Sequence, residues 1–94
     1  MDRKESKKVR CQVQLRGDSG LHIRPASRIA ALLKDSRSSV FFTYQGQTVD
    51  AKSMMNLLSL QVGAHAPITI EIEGVDAEEV YGSLIAVFEN GLGE

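Results

Sequence analysis

Four segments of the chain alternate apolar and polar residues with a period of two, which is typical of half-buried β-strands. They span residues 9–16, 40–44, 47–51 and 68–73. Residues 45–46, Gln-Gly, form a turn between the second and third segments, so we expect those two strands to form a hairpin. Strict alternation predicts a sheet with one covered face and one face toward solvent.

Three other segments carry the signals of helices. The first has one apolar face and ends near Asp35, and that face consists of Ala26, Ile29, Ala30 and Leu33. Ser53 is a good N-cap for a short second helix. Asp76 and Glu79 have the spacing of a capping box at the start of a third helix, which Gly91 ends. The apolar face of that helix is formed by Ala77, Val80, Leu84, Val87 and Phe88.

The resulting order of elements is β-α-β-β-α-β-α. Because every strand alternates, the helices must cover one face of the sheet and leave the other face open. The pattern therefore predicts an α+β fold, an open-faced two-layer β-sandwich. Residues 1–8 have no apolar periodicity, so we expect a charged N-terminal tail followed by one domain of residues 9–94.

The charge of the chain is divided between its two halves. A length of 94 residues suits a single domain, and the formal net charge is −1. All 11 Lys and Arg residues lie within positions 1–52, which carry a net charge of +6, whereas positions 53–94 carry −7. The basic half is expected to attract acidic partners.

Several classes of protein are excluded by composition. Cys11 is the only cysteine, which rules out an intramolecular disulfide and a cysteine-based zinc site. No apolar run approaches the ~20 residues of a membrane span, and the first ten residues lack the apolar segment of a signal peptide. We therefore expect a cytoplasmic protein without membrane insertion, metal or cofactor. His65 precedes Pro67 without a nearby ligand residue and is expected to be an exposed turn residue.

His22 is the first candidate for chemistry. It follows a glycine-containing loop and directly precedes the first helix, where N–H groups and the helix dipole attract anions. Arg24 adds a guanidinium whose geometry matches a phosphate, and Pro25 fits the first helical turn without loss of a hydrogen bond. These features suit a histidine that carries a phosphoryl group better than a general base, which usually needs a carboxylate partner. The alternative is that His22 only caps the helix and that Arg24 is an ordinary solvated side chain.

Two motifs give the chain a specific resemblance. The first, Gly20-Leu21-His22-Ile23-Arg24-Pro25-Ala26, is similar to the phosphorylation-site motif of the HPr family, the histidine-containing phosphocarriers of the bacterial sugar phosphotransferase system. Residues 51–60, Ala-Lys-Ser-Met-Met-Asn-Leu-Leu-Ser-Leu, resemble that family's regulatory-serine motif. The likeness runs from Val9 to the C terminus, with the same order of elements and the same spacing between the motifs.

The resemblance implies a fold and an activity. HPr proteins have an antiparallel sheet in strand order 1-4-2-3 with three helices on one face. They accept a phosphoryl group from phospho-enzyme I, which phosphoenolpyruvate charges, and pass it to A domains of enzyme II permeases. By this resemblance His22 carries the phosphoryl group on Nδ1 and Arg24 stabilises it. The chain would then be a monomeric, stoichiometric carrier and not an enzyme.

The second motif implies regulation and docking. Ser53 matches the serine that the HPr kinase/phosphorylase modifies in lineages that possess this enzyme. In the family the first two helices form the partner surface, and the matching residues here are Ile23, Arg28, Lys34, Lys52, Met54, Met55 and Leu58. Met54 also suits the core, as does Leu57. Five positions depart from the residues common in the family: Ser19, Ile23, Asn56, Gln61 and His65.

Two alternatives stay open at this point. One is a regulatory phosphocarrier of the same fold, nitrogen-related or independent of transport, in which the phosphoryl group is a signal. The other is a small nucleic-acid-binding module, which the basic first half of the chain motivates. That second alternative needs basic strands with stacking aromatic residues, whereas the fourth strand presents Glu71 and Glu73.

Overall fold

A computed structural model describes residues 6–15 and 20–90 of the chain. The elements follow the predicted order, and their bounds are β1 Lys7–Gln14, α1 Ile23–Leu33, β2 Ser39–Tyr44, β3 Gln47–Asp50, α2 Met54–Ser59, β4 Pro67–Gly74 and α3 Ala77–Glu89. Residues 16–19, which include Ser19, and the predicted helix stop at Gly91 lie outside the described residues.

The four strands form one antiparallel sheet in the order β1-β4-β2-β3. Ile70 of β4 lies at its centre, opposite Cys11 of β1 on one side and Phe42 of β2 on the other. Gln45 and Gly46 join β2 to β3 with φ angles of 51° and 82°, which suits a tight hairpin turn. The α+β fold class and the strand order 1-4-2-3 are confirmed.

The three helices cover one face of the sheet and enclose the core. The inward side chains of the central strands are almost fully buried, and they are Val40, Phe42, Ile68, Ile70 and Ile72. The helices contribute a second buried layer that includes Ile29, Leu33, Leu57, Leu84 and Phe88. The rings of Phe42 and Phe88 join the two layers at a centroid distance of 6.1 Å, a pairing that contributes about 1 kcal/mol beyond burial.

The open face of the sheet is mostly polar and mixed in charge, and Phe41 of β2 is its one exposed aromatic side chain among the described residues. Arg10 and Glu71 lie opposite each other in the register of β1 and β4, and Arg10 Nε is 3.1 Å from Glu71 Oε2. Thr43 and Thr48 form a similar cross-strand pair, with a distance of 2.7 Å between their hydroxyl oxygens. This arrangement does not provide the basic, aromatic-lined face that the nucleic-acid alternative requires.

Strand β1 begins two residues before the end of the predicted tail at residues 1–8. Lys7 lies opposite Gly74 and Lys8 opposite Glu73, because β4 is long enough to pair with both. Lys7 also places its Nζ 3.9 Å from Glu78 Oε2 of α3. The two lysines therefore belong to the sheet, and residues 1–5 of the predicted tail lie outside the described part of the chain.

The predicted capping box at the start of α3 is wrong. Asp76 is the N-cap residue, but its side chain makes no capping hydrogen bond. Its carboxylate instead accepts a hydrogen bond from Arg37 N at 2.9 Å and another from the Ser38 hydroxyl. These two donors hold the pKa of the Asp76 carboxyl below its usual range. Asp76 thus ties the α1–β2 loop to the start of α3.

Candidate functional site

His22 is the N-cap residue of α1. Its backbone is extended, with φ −109° and ψ −167°, and its carbonyl oxygen accepts the first helical hydrogen bond from Ala26 N at 2.9 Å. The imidazole is half-buried and makes no capping hydrogen bond. The interpretation of His22 as an ordinary side-chain cap is therefore not supported.

The first turn of α1 has the properties of an anion site. The N–H groups of Ile23 and Arg24 come before the first intrahelical hydrogen bond, and Pro25 has no N–H to satisfy. The first turn contains no acidic residue that would neutralise the positive end of the helix dipole. An anion attached to His22 would thus meet backbone donors that no carboxylate of the first turn balances.

Arg24 supplies a side-chain cation beside this turn. Its side chain is exposed, and no carboxylate within residues 6–15 or 20–90 forms an ion pair with it. The Ser27 hydroxyl donates a hydrogen bond to the Arg24 backbone carbonyl at 3.1 Å. This contact involves the backbone of Arg24 and not its guanidinium. Pro25 and Ala26 are buried and anchor the same turn against the core. The anchored turn thus presents a guanidinium close to His22 in sequence.

Ser53 occupies the corresponding place at the start of α2. Its hydroxyl oxygen accepts a hydrogen bond from Asn56 N at 3.2 Å, and its carbonyl oxygen accepts one from Leu57 N at 3.0 Å. The prediction that Ser53 is an N-cap is confirmed. The departure from the family pattern at Asn56 does not disturb this cap, because the backbone N–H and not the side chain is the donor.

The candidate docking residues differ widely in exposure. Ile23 and Met55 are 66% and 69% exposed, more than any other large apolar side chain in the described part of the chain. Arg28 and Lys34 are exposed on α1, which packs against α2. These four residues lie in solvent.

The other three candidates are partly occupied by the fold itself. Met54 and Leu58 are half-buried and pack against the core. Lys52 is half-buried, and its Nζ donates to the carbonyl oxygen of Ser36 at 3.2 Å. Sequence reasoning gave no indication of this contact, because Ser36 lies in the loop after α1 and is distant in sequence. Leu57 is fully buried, as predicted.

The second histidine lies in a turn and the cysteine in strand β1. His65 is an exposed turn residue, as predicted, with φ 61°. Partial burial raises the pKa of the Cys11 thiol, which makes it less reactive. Within residues 6–15 and 20–90 no group of three His, Cys, Asp or Glu side chains is placed to hold a metal ion. No helix in that part of the chain has the length and hydropathy needed to cross a membrane.

Comparison with known proteins gives consistent matches. A family model described as "PTS HPr component phosphorylation site" matches residues 9–90. Phosphocarrier protein HPr of Chlamydia muridarum is 40% identical over 80 residues, which cover 85% of this chain and 77% of that protein. HPr-like protein Crh of Halalkalibacterium halodurans is 37% identical over 81 residues, or 86% of this chain and 96% of that protein. The crystal structure of phosphocarrier protein HPr from Bacillus anthracis has a TM-score of 0.81 and 37% identity, with 86% of this chain and 96% of that chain covered.

Proposed function

The chain belongs to the PTS HPr family of phosphocarrier proteins, and from this premise we propose that it accepts a phosphoryl group on Nδ1 of His22. The donor in this proposal is phospho-enzyme I, charged by phosphoenolpyruvate, and the acceptor is an A domain of an enzyme II sugar permease. The family is one of carriers and not of catalysts, so each molecule holds one phosphoryl group at a time.

The proposed transfer needs a nucleophile and a place for the charge that it receives. The lone pair of Nδ1 attacks phosphorus, a new N–P bond forms, and the bond between phosphorus and enzyme I breaks with its electron pair returning to enzyme I. The phosphoryl oxygens then lie beside the N–H groups of Ile23 and Arg24 and within reach of the Arg24 guanidinium. Transfer to the A domain is the same step in the opposite direction.

The start of α1 is the observation that carries this proposal. A histidine at an N-cap whose side chain does not cap the helix leaves backbone donors to a ligand, and no acidic residue in the first turn competes for them. A helix that needed His22 only for stability would use a residue with a capping oxygen, as α2 uses Ser53.

The test is incubation with phosphoenolpyruvate and enzyme I, followed by measurement of the intact mass. We expect one acid-labile phosphoryl group on the wild-type chain, none on His22→Ala, and the wild-type result for the matched control His65→Ala. A wild-type chain that stays unmodified, or a His22→Ala chain that still gains the group, would contradict the proposal.

We also propose that partners dock on α1 and α2 around His22. Ile23 and Met55 offer exposed apolar contacts, and the flexible methionine adapts to different partners. Arg28 in α1 and Lys34 at its C-terminal end add exposed positive charge, which favours acidic partner surfaces and speeds the encounter. The half-buried positions of Met54, Leu58 and Lys52 support a smaller role for these three in docking.

Ser53 is the proposed regulatory site. A phosphate there brings a charge of about −1.5 to −2 to the start of α2, where it stabilises the helix locally. The same charge would oppose an acidic partner that approaches Met55 and the neighbouring basic residues. The modifying enzyme in this proposal is an HPr kinase/phosphorylase.

A further inference from the structure

Gly20 packs its backbone directly against the connection between α2 and β4, residues 60–66. Its φ of +70° is a conformation that glycine adopts without strain. A Cβ on Gly20 would collide with the Val62 carbonyl oxygen and would lie 3.0 Å from Gly63 C and 3.2 Å from Ala64 N. All three neighbours are backbone atoms, so no side-chain rotation relieves the overlap. Only glycine fits this place.

A hydrogen bond follows the close contact along the chain. Leu21 N donates to the same Val62 carbonyl oxygen at 3.0 Å. Leu21 and Val62 are each only 4% exposed, so water does not compete for this bond. Because Leu21 directly precedes His22, the connection holds the backbone one residue away from the proposed phosphoryl acceptor.

The same connection also binds the end of β1. Leu15 N, at the end of β1, donates to Ala66 O at 3.1 Å. Gln14 Nε2 donates to the His65 carbonyl oxygen at 2.7 Å. Leu15 and Leu21 are therefore both attached to one short segment, and the position of that segment sets the direction in which the chain enters α1.

The path of the connection is imposed by packing. Gln61 and His65 have φ angles of 55° and 61°, a region that is costly for residues with a Cβ. Leu60 and Val62 on either side of Gln61 are both buried, and this burial keeps the segment in place despite the strain.

We propose that Gly20 is a positioning residue for His22. The absence of a side chain on Gly20 lets the backbone approach Val62 closely before it enters α1. In this proposal the close approach places the His22 imidazole at the first turn of α1, beside the N–H groups of Ile23 and Arg24. The inference rests on the proposed phosphoryl transfer to His22, and it adds a dependence on the α2–β4 connection, whose residues 61–66 lie outside both sequence motifs.

The experiment compares Gly20→Ala with two matched glycine variants. Gly74→Ala introduces a similar overlap, with Ser38 at the other end of the sheet, and controls for lost stability. Gly46→Ala also stands at a positive φ, 82°, but its Cβ would meet nothing within 4 Å, and it controls for backbone strain. The midpoint of chemical denaturation is measured for each variant. The kcat and KM of enzyme I are then measured with each variant as the acceptor of the phosphoryl group.

We expect Gly20→Ala to lower kcat by about 10²-fold, the cost of a misplacement near 1 Å, with KM unchanged because the docking residues are intact. Gly74→Ala and Gly46→Ala should transfer at the wild-type rate. The proposal is overturned if Gly20→Ala transfers normally, or if Gly74→Ala loses kcat equally at a similar loss of stability.

A second variant and a spectroscopic measurement complete the test. If Gly20→Ala does not fold, the second variant has one glycine inserted between Gly63 and Ala64. The insertion loosens the α2–β4 connection without adding a Cβ. A wild-type kcat in that variant overturns the proposal. NMR spectra of the His22 ring separate this inference from the function itself. If the wild type is never phosphorylated, the proposed function fails. A chemical shift of the His22 ring that changes in Gly20→Ala alone still supports the positioning of His22 by Gly20. An unchanged chemical shift refutes it.

Discussion

The starts of α1 and α2 have similar backbone geometry and different chemistry. Both N-cap residues are extended, and neither first turn contains an acidic residue. At α2 the Ser53 hydroxyl accepts the hydrogen bond of Asn56 N, whereas at α1 the His22 side chain accepts none from its helix. The Ser53 side chain stabilises the start of its own helix. The His22 side chain does not do so, which supports the proposed binding of a phosphoryl group at the start of α1.

The nearest basic residues differ in the same way. Lys52, one residue before Ser53, donates its ammonium hydrogen bond to Ser36 O and joins α2 to the loop after α1. Arg24, two residues after His22, has an exposed guanidinium that pairs with no carboxylate of the described residues. The comparison teaches that a cation near a helix start is available for a ligand only when the fold does not already use it.

The largest expected effect is a difference in transfer rate between alanine variants of Arg24 and Lys52. Arg24→Ala should lower the rate of phosphoryl transfer by roughly 10²-fold, because a charged donor to the developing phosphoryl oxygens is lost. Lys52→Ala should leave that rate within about twofold and instead lower the free energy of unfolding by about 1 kcal/mol, through its bond to Ser36 O. Transfer assays and chemical denaturation measure both. A slower transfer in Lys52→Ala than in Arg24→Ala would break the comparison.

A smaller effect comes from adding charge to the closed start of α2. Ser53→Asp keeps a capping oxygen and should leave the fold intact, but its charge should slow transfer from enzyme I by roughly tenfold through repulsion of an acidic partner. Stopped-flow or quench kinetics with intact-mass detection would measure the rate.

Ser53→Ala is the control for that experiment. It removes the cap, so we expect a loss of about 1 kcal/mol in the free energy of unfolding and no change in the transfer rate. An Asp variant with the wild-type rate would remove the support for regulation at Ser53.

The smallest effect concerns the start of α3, where Asp76 directs its carboxylate to another loop. Its pKa is lower in the folded chain than in the unfolded one, because the charged form accepts hydrogen bonds from Arg37 N and the Ser38 hydroxyl. Its contribution to stability is therefore complete above the ordinary carboxyl pKa and is lost as pH falls through the lower, folded value. Unfolding of wild type and Asp76→Asn should differ by a constant amount at neutral pH and converge in acid. A difference that grows in acid would contradict this assignment.

Much of the fold follows from the sequence, but the neighbours of each strand do not. Alternation shows which side chains of β2 and β4 face the core, since a strand has only two faces. It carries no information on which strands are adjacent, and the order 1-4-2-3 came from the family resemblance. The start of β1 was also missed, because Lys7 and Lys8 pair through their backbones and have no apolar pattern.

The candidate site was likewise predictable only where its signals are local in sequence. His22, Arg24 and Ser53 could be identified because helix starts have local signals. The contact of Gly20 with Val62, the bond from Lys52 to Ser36 and the bonds of Asp76 join segments that are distant in sequence. No local pattern reports such contacts, and they appear only when the chain is folded.

The pairing of β1 with β4 sets an order of events while the chain is being made. Lys7 lies opposite Gly74 and Gln14 opposite Pro67, so almost the whole domain must be synthesised before β1 finds its strand partner. The hairpin of β2 and β3 closes through a two-residue turn and needs no later segment. Since closing long loops slows folding, we expect β1 to pair later than this hairpin, with its apolar residues Val9, Cys11 and Val13 uncovered by a strand partner until β4 is available.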